Sequence, residues 1–238
     1  MRQSDVEAGI RRYLETKDIQ PKMSINERSL QLFGDEKYLA SGECQSYLSR
    51  HHLSMDIFNV YKSLEPFLYF DTGIPSADVL IVENKDTWYT MRKIMTDIGT
   101  ICGIKPAAII YGEGRKIQSS FSYIAAPEFE KFNGIKSFYY FGDLDASGID
   151  ILYKLQRTYK DNIVPFEPGY QYLYDHRACG RTKDMQRHIP ISMSEVRVLD
   201  FLGADAITDI YTFCNHDYLV PQELLNYEVL SNWDWLYS

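Results

Sequence analysis

The sequence predicts an α/β domain with a mostly parallel central sheet flanked by helices, preceded by a small N-terminal extension. Three short apolar runs, rich in β-branched or aromatic residues, each end in a polar or glycine-rich turn. Helical spacing follows the first and third of them, and no repeat or low-complexity tract interrupts the 238 residues. Strands alternating with helices imply a parallel sheet covered on both faces, with the C-terminal strand ends gathered at one rim where ligands bind.

Residues 5–15 read as a helix, and residues 25–39 have mixed periodicity that supports no firm assignment. Residues 1–72 are therefore set apart as an extension of uncertain fold, and residues 73–238 as the α/β domain with C-terminal helices. Val79-Leu80-Ile81-Val82 is the first strand, followed at once by Glu83-Asn84. A helix then places Trp88, Met91, Met95 and Ile98 on one face and stops at Gly99. Ala107-Ala108-Ile109-Ile110-Tyr111 is the second strand and ends in Gly112-Glu113-Gly114. Ser137-Phe138-Tyr139-Tyr140-Phe141 is the third and ends in Gly142-Asp143-Leu144-Asp145. Its aromatic residues read as a buried strand and not as a base-stacking platform.

Ser147 is predicted to cap a helix that buries Ile149, Leu152, Tyr153 and Leu155. Ile163-Val164-Pro165-Phe166 reads as an edge strand, since proline is tolerated there. Residues 192–202 and 207–214 read as helical. Pro221 is predicted to open a last helix carrying Leu224, Leu225 and Val229, with Trp233 and Trp235 closing the chain against the body.

Composition narrows the function. Against 25 basic residues stand 33 acidic ones, a formal charge of −8. That is the wrong sign for holding nucleic acid by bulk electrostatics, so contact with DNA requires a local basic patch, a metal or a partner. No apolar run approaches the roughly 18 residues of a bilayer span, and the polar opening lacks a signal-peptide core, so the expectation is cytoplasmic, without a membrane partner. The cysteines Cys44, Cys102, Cys179 and Cys214 show no CxxC spacing, which points to reduced thiols.

Chemistry concentrates at the rim. Two aspartates one residue apart at a strand end project to the same side if the backbone stays extended, and their charges repel. A divalent cation removes that cost, and hard oxygen ligands suit Mg²⁺ or Mn²⁺. Glu83, on a neighbouring strand, offers a third carboxylate to the ion or a general acid or base. Taken alone, an Asp-x-Asp is as readily a turn and helix-capping device.

The pairing of Val79-Leu80-Ile81-Val82-Glu83-Asn84 with Tyr140-Phe141-Gly142-Asp143-Leu144-Asp145-Ala146-Ser147-Gly148 resembles the Toprim fold of topoisomerases, primases and related nucleases. More narrowly, the run from Asn26 through Leu39, Val82-Glu83-Asn84, Tyr111-Gly112-Glu113-Gly114 and Pro221-Gln222-Glu223 are similar to the C-terminal region of JetD. JetD is the nuclease subunit of Wadjet anti-plasmid systems and is related to the A subunit of topoisomerase VI. The resemblance spans residues 25–225, with only the acidic motifs specific enough to carry function. It implies a Toprim-type, Rossmann-like catalytic domain acting as a Mg²⁺- or Mn²⁺-dependent DNA endonuclease. Glu83, Asp143 and Asp145 would take the metal-binding and acid/base positions, and Glu113 a further metal-ligand position, although Gly-x-Gly after a strand also marks a tight turn.

The implied partners are DNA, the SMC-like subunits of a defence complex and a second copy of the chain. Residues 1–72 are shorter than the region that carries DNA-binding arms in JetD-like proteins, so affinity and targeting are expected from other subunits. None of the 19 tyrosines stands in a recognisable winged-helix setting. Hydrolysis by metal-activated water is therefore favoured over a covalent tyrosyl intermediate.

The most basic stretch supplies DNA-contact candidates Arg177, Arg181, Lys183 and Arg187, against the alternative of a solvated surface. Arg92, Lys93, Arg115 and Lys116 share that ambiguity. Adjacent His51 and His52 point apart in regular structure and read as surface or structural residues, as does His216-Asp217 in a loop. Two other functions remain open. Asp143-Leu144-Asp145-Ala146-Ser147 fits the nucleophile motif of haloacid-dehalogenase-like phosphatases, though that motif usually opens the fold. Alternatively, the chain is a catalytically silent docking subunit of an SMC-like complex.

Overall fold

The structure, a computed structural model, describes residues 3–16, 20–132, 134–159, 162–182 and 190–233. It divides into two compact units, Met1–Leu64 and Glu65–Ser238.

The first unit is helical. Helix α1 (Gln3–Leu14) is followed by α2 (Ile25–Phe33) and α3 (Gly42–Arg50), with a minimal parallel pairing of β1 (Met23–Ser24) and β2 (Val60–Tyr61). Local signals fix α2 at both ends. Ser24 and Glu27 form a reciprocal capping box, and Gly34 closes the helix in the left-handed conformation at φ 68°. Val6, Ile10, Leu39, Cys44, Leu48 and Phe58 form the core. The fully buried Arg28 is satisfied by neutral oxygens, donating to Phe58 O at 3.1 Å and Pro21 O at 2.6 Å.

The second unit is the expected α/β domain. Five strands lie in the order β3 (Tyr69–Asp71), β5 (Ala108–Tyr111), β4 (Asp78–Val82), β6 (Ser137–Phe141), β7 (Ile163–Pro165). All pair in parallel except β3, which runs antiparallel to β5. This edge strand ties residues 69–71 to the α/β unit, so the division falls ahead of residue 72. β7 lies at the opposite edge, where Pro165 removes no central ladder bond. Val79 to Val82 are completely buried, as a strand covered on both faces requires.

From β4 the chain passes through α4 (Lys85–Asp97) to β5 on one side, then crosses back to β6 on the other. The short α5 (Ile117–Ser120) and three 3-10 segments lie in that crossover among the described residues. α6 (Ala146–Thr158) leads on to β7 and α7 (Glu167–Asp175). The strand order reverses between β4 and β6, and a crevice opens there at their C-terminal ends.

The remaining elements correct several expectations. α6 is capped by Asp145, whose side chain accepts from Gly148 N at 2.8 Å, and Ser147 lies inside the helix. Residues 192–202 split into α8 (Met193–Val196) and a 3-10 segment broken at Leu199, where φ is −108° and ψ 23°. α9 (Ala204–Cys214) begins earlier than the apolar run suggested. The helix expected from Pro221 is interrupted: a 3-10 turn, Gln222–Leu224, precedes α10 (Tyr227–Ser231), whose cap is Asn226. β8 (Arg181–Thr182) pairs antiparallel with β9 (Tyr218–Leu219). Trp235 lies outside the described residues, while Trp233 is half-buried near Tyr172. No disulfide joins the four cysteines. Among the described residues, no helix is long and apolar enough to cross a membrane.

Candidate functional site

The sheet register brings the acidic motifs together. Val82 pairs with Phe141, and Glu83 N donates to Phe141 O at 2.9 Å. Glu83 and Asp143 therefore leave adjacent parallel strands at the switch point. Both line a cavity of about 420 Å³ with Asn84, Lys85, Tyr111 and Gln222.

Glu83 is the most perturbed carboxyl there. Burial pushes its pKa up to about 7, and the charges of Asp143 and Asp145 push the same way. The Tyr140 hydroxyl, donating to Glu83 Oε2 at 3.0 Å, and the Asp143 backbone N–H act in opposition. Asp143 is also raised, first by burial and then by Asp145 and Glu223, while Gln222 hydrogen bonds pull it down. The charges of both aspartates thus act on Glu83.

The glycines of the motif have steric reasons. A Cβ on Gly142 would collide with the Glu83 carboxylate and the Tyr140 hydroxyl. One on Gly148 would collide with the Asp143 carbonyl oxygen. Gly142 N also donates to Tyr170 Oη at 3.2 Å, so two fully buried tyrosines, Tyr140 and Tyr170, hold the floor of the site.

Gln222 closes the site from far along the chain. It is buried, and both its backbone N and its Nε2 donate to Asp143 Oδ1, at 2.9 and 3.3 Å. Its own Oε1 accepts from Asn84 N at 3.3 Å, and Asn84 Nδ2 donates to Glu223 at 2.7 Å. A bridge between Leu144 and Val220 anchors the same segment. The sequence signal was the Pro221-Gln222-Glu223 motif, but nothing local tied it to Asp143. The hydroxyl of Tyr140 escaped notice because strand burial accounted for its ring.

The aspartates each have a structural partner: Asp143 with Gln222, Asp145 with the first turn of α6. Among the described residues, no three His, Cys, Asp or Glu side chains stand close enough to ligate one ion as they are oriented. The donor chemistry, hard carboxylate oxygens of which Glu83 and Asp143 are raised by burial, nonetheless suits a hard divalent cation. Glu113 is not drawn in: its backbone is left-handed at φ 53°, and its exposed carboxylate pairs with Lys116 at 2.7 Å.

The DNA-contact candidates separate. Arg181 is exposed, and its backbone pairs with Leu219, beside the Val220 that bridges to Leu144. Arg177 instead stacks on Tyr174, 4.1 Å from the ring centre, and lies 3.5 Å from Asp209. Lys183 and Arg187 lie outside the described residues. His51 and His52 are exposed, and His216 sits in a turn bonded to Thr212 O.

No curated protein matches the chain. The family model for the C-terminal part of the Wadjet protein JetD matches residues 51–184, more than half of the chain and both acidic strand ends. The chain therefore belongs to the JetD C-terminal family, which implies a role in Wadjet anti-plasmid defence.

Proposed function

We propose that this chain is the Toprim-type, metal-dependent DNA endonuclease subunit of a Wadjet-like defence complex, hydrolysing phosphodiester bonds. The observation that carries the reading is the placement of Glu83 and Asp143 on adjacent strand ends at the switch point, sharing one cavity and coupled to Asp145. Mg²⁺ or Mn²⁺, held by Glu83, Asp143 and Asp145, would supply Lewis acidity toward water and a phosphate oxygen. Burial and the neighbouring carboxylates raise Glu83 to about 7, so binding of a divalent cation would displace its proton near neutrality. Tyr140 and the Asp143 N–H orient its carboxylate. Gln222 orients Asp143, and Lys85 at the cavity wall offers a cation to the phosphate. The exposed Arg181, on a strand paired beside the Leu144–Val220 bridge, is a further candidate contact for the DNA strand.

One observation favours a second reading, that of a silent docking subunit: both aspartates already have structural partners, Gln222 and the α6 N-terminus. Plasmid cleavage by the complex with its partner subunits, in Mg²⁺ or Mn²⁺, separates the two. The Asp143→Asn variant keeps an acceptor for Gln222 and removes the charge, so it is expected to fold normally and to lose cleavage. Full activity of this variant would overturn the nuclease assignment. Phosphatase activity on a small phosphomonoester without action on DNA would point instead to the dehalogenase-like alternative.

A further inference from the structure

The second unit holds one cation cluster whose geometry is more elaborate than a surface ion pair requires. Asp150, on the second turn of α6, is buried, with its side chain 10% exposed. Its Oδ2 accepts from two cations at once, Arg115 Nη1 at 2.5 Å and Lys154 Nζ at 2.9 Å. Arg115 Nη2 also reaches Ser147 Oγ at 3.3 Å, two residues beyond Asp145. The Arg115 side chain remains 45% exposed. One carboxylate oxygen shared by two cations leaves a surplus positive charge fixed beside the acidic strand end.

Lys85 lines the cavity itself, whereas three other cations near the rim are engaged elsewhere. Arg92 lies among the rings of Trp88 and Phe70, 4.7 and 4.9 Å from their centres. Lys93 pairs with Asp97 at 2.5 Å, and Lys116 with Glu113 at 2.7 Å. Arg115, unlike those three, spans from the β5 turn to the first turns of α6. The residue before it, Gly114, donates its N–H to Glu83 O at 3.4 Å and lines the cavity. Arg115 is thereby tied to both strand ends, through the Gly114 backbone to Glu83 and through Ser147 to the first turn of the helix that Asp145 caps.

We infer that Arg115, braced by Asp150 and Ser147, is a substrate-strand contact that holds a backbone phosphodiester of DNA beside Glu83, Asp143 and Asp145. The inference rests on the nuclease reading and adds how an acidic site retains an anionic strand. A chain of net charge −8 repels DNA at long range. A rigid guanidinium with an exposed face offers forked donors matched to two phosphate oxygens, and the brace removes the entropy cost of ordering a long side chain. Contact with phosphate carries no base specificity, as a plasmid-clearing nuclease requires.

The test is binding of a fluorescein-labelled duplex by the full chain in the cleavage-deficient Asp143→Asn background with Mg²⁺, followed by anisotropy across a salt series. Arg115→Ala is expected to weaken binding roughly five- to tenfold for unrelated sequences and to lower the slope of log K against log salt by about 1. Arg115→Lys is expected to keep the slope while losing part of the affinity, and unchanged thermal unfolding midpoints identify variants that fold. Binding by Arg115→Ala as tight and as salt-dependent as its parent overturns the inference. In that case, plasmid cleavage by the wild-type complex leaves the nuclease reading standing. A wild-type chain that neither binds DNA nor cleaves it with its partners overturns both.

Discussion

Glu83→Gln is expected to make the protein more stable, and by an amount that depends on pH. The folded chain raises the Glu83 carboxyl from its ordinary 4.5 to about 7, first through burial and then through the charges of Asp143 and Asp145. Below pH 4.5 the group is neutral in both folded and unfolded chains and adds no cost. Between 4.5 and 7 the unfolded chain releases the proton and the folded chain keeps it, so stability falls as pH rises. Above 7 the carboxylate is charged in both states and its full penalty is present, on the order of 3 kcal/mol at about 1.4 kcal/mol per pH unit. Glutamine retains an acceptor for Tyr140 and carries no charge. Urea unfolding of both proteins in EDTA, from pH 5 to 8.5, reads the difference. The gap in favour of the variant should open across the window from 4.5 to 7 and level off near 3 kcal/mol. Mg²⁺ at pH 8 should then stabilise the wild type more than the variant, by mass action on the folded state. A gap that does not change with pH would refute the argument, because it would mean that Glu83 is solvated like any surface carboxylate.

Two further substitutions test the packing of the motif. Gly142→Ala places a methyl group where the Glu83 carboxylate and the Tyr140 hydroxyl already sit, so thermal unfolding should show a loss of about 1–3 kcal/mol, together with lost cleavage. Asp145→Ala removes the cap of α6 and should cost about 1 kcal/mol, whereas Asp145→Asn retains the cap and should be close to neutral in denaturant unfolding. If both Asp145 variants lose cleavage and only the alanine variant loses stability, the capping and catalytic roles of this side chain are separate.

What the sequence made legible follows the range of the interactions involved. Strands β4, β5 and β6 could be read because β-branched and aromatic runs buried on both faces leave an unbroken apolar signature, and the strand-end acids are local to them. Helix α2 was also written locally, in the Ser24/Glu27 capping box and Gly34, although mixed apolar spacing obscured it. The cap of α6 is Asp145 and not Ser147, because a carboxylate two residues earlier caps equally well and local sequence does not separate its capping role from a ligand role. The break at Leu199 and the interrupted helix after Pro221 arise from tertiary packing, which propensity does not encode. Gln222 was out of reach for the same reason: its contact with Asp143 crosses 79 residues and depends on a bridge between Leu144 and Val220.

The Gly-Asp-x-Asp-x-x-Gly segment can be accounted for position by position. Gly142 leaves room for the glutamate of the neighbouring strand, and Gly148 lets α6 close down on the Asp143 carbonyl. Leu144, fully buried, turns inward between the aspartates and bridges to Val220, which anchors the segment that carries both of them. This divides their work. Asp145 is fixed by the helix it caps, whereas Asp143 is held only through hydrogen bonds from Gln222, which lies on a separate segment of chain. On the proposed metal-dependent reading, Asp143 is therefore the carboxylate that would change partner on cation binding. The cost of that exchange would be the release of the two Gln222 donors, and its reward relief of the repulsion that adds to burial in raising Glu83 and Asp143. The candidate site thus extends beyond the matched residues 51–184, because Gln222 sets the position of the Asp143 side chain.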